Sequence, residues 1–95
     1  MRLTPTEKTT ITRAIRQQDP AAVIILFGSR ANDQQKGGDI DLLVVSDHID
    51  FRQEWKIRRD ILDRIGWQKL DLIIRRSDQT DSAIVDIANE TGIPL

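Results

Sequence analysis

The chain has 95 residues, 39% hydrophobic and 31% charged, with a formal net charge of −1, which suits one small domain spanning residues 1–95 and leaves no room for a second. The balanced charge excludes a dedicated nucleic-acid-coating protein, and no direct DNA binding is expected, although Arg52, Lys56, Arg58, Arg59, Arg64, Arg75 and Arg76 concentrate cations in the second half. Cysteine is absent, which removes disulfides and thiolate sites; no apolar run nears the ~18 residues of a membrane span and no signal-peptide core opens the chain, so the expected location is the cytoplasm.

Thr4-Pro5-Thr6-Glu7 reads as a helix start. Thr4 caps, Pro5 suits the first helical position, and Glu7 completes a capping box. The helix is expected to run to about Gln18, with Ile11, Ala14 and Ile15 inward, and to end at Asp19-Pro20. Residues 22–27 (AVIILF) form an apolar run of strand length, stopped by Gly28-Ser29. A polar segment then ends in Gly37-Gly38, read as turn formers, before a second strand at 39–45 (DIDLLVV). Residues 50–65 have helical spacing, with Phe51, Trp55, Ile61 or Leu62, and Ile65 on one face, and Gly66 as the stop. His48, before this helix, reads as a surface residue, and Trp55 and Trp67 as core or interface anchors. Residues 70–75 (LDLIIR) make a third strand. A last helix is expected over about 81–91, with Ile84, Ile87 and Ala88 inward. This order describes an α+β fold, a small mixed sheet covered by helices.

The acidic residues then fall into a pattern. If the first two strands pair antiparallel, Gly28-Ser29 at the end of one meets Asp39 and Asp41 at the start of the other. A strand–helix–strand crossover makes the second and third strands parallel, which brings Asp71 to the same edge. Asp39 and Asp41 are two apart and share a face. Like charges placed together repel by roughly 0.5–3 kcal/mol, so a fold that gathers three carboxylates implies a cation between them. Oxygen donors without His or Cys select Mg²⁺ or Mn²⁺ over Zn²⁺. Gly28 lets the backbone approach a ligand, and the N–H groups of Ser29 and Arg30 with the Ser29 hydroxyl suit a phosphate. A phosphate cradle opposite metal-binding carboxylates is what a nucleoside triphosphate requires.

Gly28-Ser29, nine residues, then Asp39-Ile40-Asp41-Leu42-Leu43-Val44 resembles the signature of the DNA polymerase beta-like nucleotidyltransferases. It is most similar to their smallest branch, the stand-alone minimal nucleotidyltransferase (MNT) domains, over nearly the whole chain. The spacing before the first aspartate is usually ten, and Asp33 stands where a glycine is common. The resemblance implies a palm-like nucleotidyltransferase fold. It implies that Gly28, Ser29 and Arg30 bind the triphosphate of ATP. Asp39 and Asp41 would ligate two Mg²⁺ ions (Mn²⁺ possible), and Asp71 would be the third metal-site carboxylate, positioning the acceptor. MNT domains typically pair with a HEPN-domain protein, a helical ribonuclease, as a toxin–antitoxin system. The resemblance therefore implies an antitoxin that transfers AMP to a tyrosine of that partner or blocks it by binding, in a hetero-oligomer and possibly a homodimer. With no tyrosine here, a tyrosyl acceptor lies on another chain. Transfer to a small hydroxylated molecule or an RNA end is the remaining alternative. Trp67 and Ile93-Pro94-Leu95 are the candidate interface residues.

Overall fold

The structure, a computed structural model, describes residues 3–31, 38–79, 86 and 90–95. The first helix, α1 (Pro5–Gln18), begins as its sequence dictates. The Thr4 hydroxyl accepts from the Glu7 N–H at 3.0 Å, and the Glu7 carboxylate accepts from the Thr4 N–H at 2.9 Å. Both bonds satisfy amides that a helix start otherwise leaves unpaired. Ile11, Ala14 and Ile15 are buried, as their spacing predicts. The chain continues through β1 (Val23–Phe27), a 3₁₀ turn (Gly28–Ala31), β2 (Ile40–Val45), α2 (Phe51–Ile65), β3 (Leu70–Arg75) and β4 (Ile93–Pro94).

The strands form one sheet in the order β3-β2-β1-β4. β1 and β2 are antiparallel, and β2 and β3 are parallel. The mixed sheet and α+β class expected from the sequence are therefore present. Along the strands the side chains alternate between two apolar faces. Ile24, Leu26, Ile40, Leu42, Val44, Leu70 and Leu72 join Ile11, Ile15, Ile57 and Ile61 from the helices in the main core. Ile25, Phe27 and Leu43 form a second buried cluster, with Ile73 packed against it. Burial on both faces explains why β1 and β2 read as continuous apolar runs.

Three expectations need correction or restriction. Phe51 and Trp55 are not on the buried side of α2: they are 71% and 58% exposed, and the helix buries Ile57, Ile61 and Leu62 instead. At ~100° per residue, Trp55 lies about 200° round the helix from Ile57, on the opposite side. Its ring packs edge-on against Phe51, with centroids 6.2 Å apart. The second concerns Ile93 and Pro94, the candidate interface residues. They pair with Leu26 and Ile25 as a short edge strand, and Leu95 packs against the main core. A proline without an N–H is tolerated there because an edge strand need not donate on its outer side. Of the last predicted helix, Asp86, Glu90 and Thr91 are helical, while Ile84, Ile87 and Ala88 lie outside the described residues. Among the described residues, no helix is long and apolar enough to cross a membrane.

A polar knot ties the end of α1 to the end of β2. Asp19 and Ser46 are each 4% exposed. The Ser46 hydroxyl donates to Asp19 Oδ2 at 2.6 Å and accepts the N–H groups of His48 and Ile49, each at 3.1 Å. Asp19 Oδ1 takes the Ala21 N–H at 3.0 Å. Ser46→Ala strips a buried carboxylate and two amides of their partner, and is expected to destabilise the fold by about 1–3 kcal/mol in urea unfolding. A loss below about 0.5 kcal/mol, the range of an ordinary surface change, would discount the knot.

Candidate active site

The register of two strand pairs builds the site. Asp41 on β2 stands opposite Asp71 on β3 and opposite Phe27 at the end of β1. The carboxyls of Asp41 and Asp71 lie within hydrogen-bonding reach of each other, a contact that favours the protonated form of Asp41. Burial, that hydrogen bond, and the negative charges of Asp71 and then Asp39 push the Asp41 pKa up from 3.8 to about 6, against a smaller opposing pull from Lys69. Asp39 lies just before β2, and the Ile40↔Leu70 pairing sets it beside Lys69. Its Oδ2 is 3.3 Å from the Lys69 ammonium. This contact with Asp39, followed by the charge of Asp71, holds the Lys69 pKa above its ordinary value.

Gly28 closes the site from the β1 side. Its φ of 73° is a left-handed conformation that favours glycine. A Cβ built there would fall onto Asp41 Oδ2 and come within 3.1 Å of Asp41 Cγ. The turn therefore needs glycine twice over, for its backbone angle and for the carboxylate that occupies the side-chain position. Ser29 and Arg30 follow in the 3₁₀ turn. The expected contact of the Ser29 hydroxyl falls on a side chain outside the described parts, as do Asp33 and Gly37.

Arg30 is placed differently from a free phosphate ligand. Its Nε donates to Gly38 O at 3.3 Å and its Nη2 to Gln68 Oε1 at 3.1 Å, while Nη1 lies 3.9 Å from Glu7 Oε2. The side chain is only 18% exposed. Arg30 thus clamps the Gly28 turn to α1, to the entry of β2 and to the loop before β3. In doing so it positions the site.

Asp41 and Asp71 meet directly, and Asp39 joins through Lys69. No three acidic or imidazole side chains among the described residues are drawn together at metal-ligand spacing. The donor set nevertheless fits a hard divalent cation. All its donors are carboxylate oxygens, and the clustered negative charge already draws in the Lys69 ammonium. Sequence reasoning missed Lys69. The same period-of-two logic that puts Asp39 and Asp41 on one face puts Lys69 and Asp71 on one face, so the signal was present. The Gln68 and Gly38 partners of Arg30 carry no comparable signal, because they depend on how loops fold back.

The family model described as "Polymerase beta, Nucleotidyltransferase" matches residues 9–93. That span runs from within α1 to the start of β4 and includes Gly28, Ser29, Arg30, Asp39, Asp41, Lys69 and Asp71. A search of curated proteins found no match.

Gly28→Ala is expected to cost about 1–3 kcal/mol in urea unfolding, through the left-handed backbone, and to displace the Asp41 carboxylate. An alanine variant with unchanged stability and an unchanged Asp41 titration by NMR would contradict this close packing. The second expectation concerns pH. Because the folded Asp41 pKa lies above its unfolded value, the folded chain holds the extra proton between 3.8 and about 6. The stability this group contributes is fully present below that window and is lost as pH rises through it. In metal-free protein, the difference in unfolding free energy between wild type and Asp41→Asn is expected to change across this window. A flat difference would show that Asp41 titrates normally.

Proposed function

Because this chain belongs to the polymerase beta nucleotidyltransferase family, we propose that it transfers AMP from ATP to a hydroxyl on a partner protein, as the antitoxin of a HEPN-type toxin. The observation that carries the chemistry is the cross-strand Asp41–Asp71 pair packed against the Gly28 turn. Asp39, Asp41 and Asp71 would hold Mg²⁺, with Mn²⁺ a chemical substitute. When bound, the metal lowers the pKa of an attacking hydroxyl and neutralises the departing pyrophosphate.

The rest falls to this chain's own groups. The backbone N–H groups after Gly28 offer the triphosphate its donors. Arg30 holds that turn in register with the carboxylates through Gly38 and Gln68. Asp71, on the edge strand β3, orients the acceptor hydroxyl and takes its proton. A bond forms from the acceptor oxygen to the α-phosphorus, and the bond from that phosphorus to the bridging oxygen breaks. AMP stays on the acceptor and pyrophosphate leaves.

The exposed rings of Phe51, Trp55 and Trp67 favour a second reading, in which the chain neutralises its partner by binding alone. One experiment separates the two. The chain is mixed with a HEPN-domain partner, Mg²⁺ and ATP labelled on the α-phosphate. Transfer predicts label on the partner, reduced at least about a hundredfold by Asp39→Asn or Asp41→Asn. Partner inhibition that persists in these variants, without label, would instead establish occlusion. No label and no inhibition would remove both readings.

A further inference from the structure

Lys69 is anchored by its backbone and carries an exposed, ion-paired side chain. Its carbonyl accepts the Ile40 N–H at 3.1 Å, which fixes the backbone to the start of β2. Its side chain is 69% exposed and reaches Asp39 Oδ2 at 3.3 Å. The ammonium also feels the charges of Asp71 and Asp41. It therefore sits at Asp39, two residues along the chain from Asp41, as a single positive charge on a long, flexible stem. Arg30, another cation near the site among the described residues, is committed to Glu7, Gly38 and Gln68.

We propose that Lys69 is an exchangeable counter-ion, whose ammonium neutralises Asp39 in the metal-free protein and leaves it when a divalent cation takes the carboxylates. This rests on the reading of Asp39, Asp41 and Asp71 as metal ligands. An exposed lysine–carboxylate pair is weak and readily broken. An ammonium is a point charge without the paired donors that would lock an arginine onto a carboxylate. A divalent cation at Asp39 repels the ammonium, so the two states exclude each other. The anchored backbone keeps the displaced ammonium close by, ready to return when the metal departs.

The test is a Mn²⁺ titration of the full chain at low ionic strength, where surface charge is least screened. Free Mn²⁺ is followed by electron paramagnetic resonance for wild type, Lys69→Met and Lys69→Arg. Removing the competing charge is expected to tighten Mn²⁺ binding about three- to tenfold in Lys69→Met, while Lys69→Arg binds no more tightly than wild type. In wild-type protein, the Lys69 Nζ resonance is expected to shift to that of a free lysine as Mg²⁺ saturates the site. Equal or weaker Mn²⁺ binding by Lys69→Met, or a Lys69 resonance unmoved by saturating Mg²⁺, would overturn the proposal. If wild type and Lys69→Met both fail to bind Mn²⁺, the metal-site reading itself is wrong and the counter-ion falls with it.

Discussion

The site depends on one pairing, the parallel register that sets Asp41 against Asp71. Nothing in the two carboxylates favours that meeting. The register is fixed instead by their apolar neighbours. Ile40, Leu42 and Val44 on β2 and Leu70 and Leu72 on β3 all face the helices. Moving β3 by one residue would drive Asp71 into that core and expel the leucines. The core therefore forces the acids together and supplies the free energy that their repulsion costs. The crossover helix α2 contributes by burying Ile57, Ile61 and Leu62 against the same face, which holds the two strands in step.

The antiparallel partner has a different task. β1 ends at Phe27, opposite Asp41, so the chain must turn away at once while passing close to a carboxylate. Gly28 alone permits both. Arg30 then ties the turn to three other segments. Glu7 has two duties in this arrangement: one oxygen caps α1 and the other faces the Arg30 guanidinium. The first turn of α1 is thereby linked to the Gly28 turn.

Much of this was legible in the sequence because it follows from local rules. The Thr4–Glu7 capping box, the apolar strand runs and the handed crossover are set by near neighbours or by general sheet geometry. From them came the strand order of β1, β2 and β3, and the placement of Asp39, Asp41 and Asp71 at one edge. What escaped was set by long-range contact. The aromatic residues Phe51 and Trp55 looked like core because they are apolar, yet the arc of α2 that packs is chosen by Ile57 and Ile61. β4 is two residues long and contains a proline, too little pattern to reveal that it pairs with β1. The partners of Arg30, Gly38 and Gln68, are brought to it only by the folded loops. Lys69 is the instructive case: alternation gives its facing, but only the folded strands bring it to Asp39.

Strand β2 joins two ends of opposite character. It begins at carboxylates in electrostatic conflict, and it leads at its other end into Ser46, whose hydroxyl satisfies Asp19 and two amides at once. The contrast divides the molecule's tolerance to change. Near Ser46, every substitution removes a satisfied interaction, and robustness has nothing to gain. Near Asp41, neutralising the carboxylate relieves a conflict, so the fold tolerates a change there that it would not tolerate at Ser46.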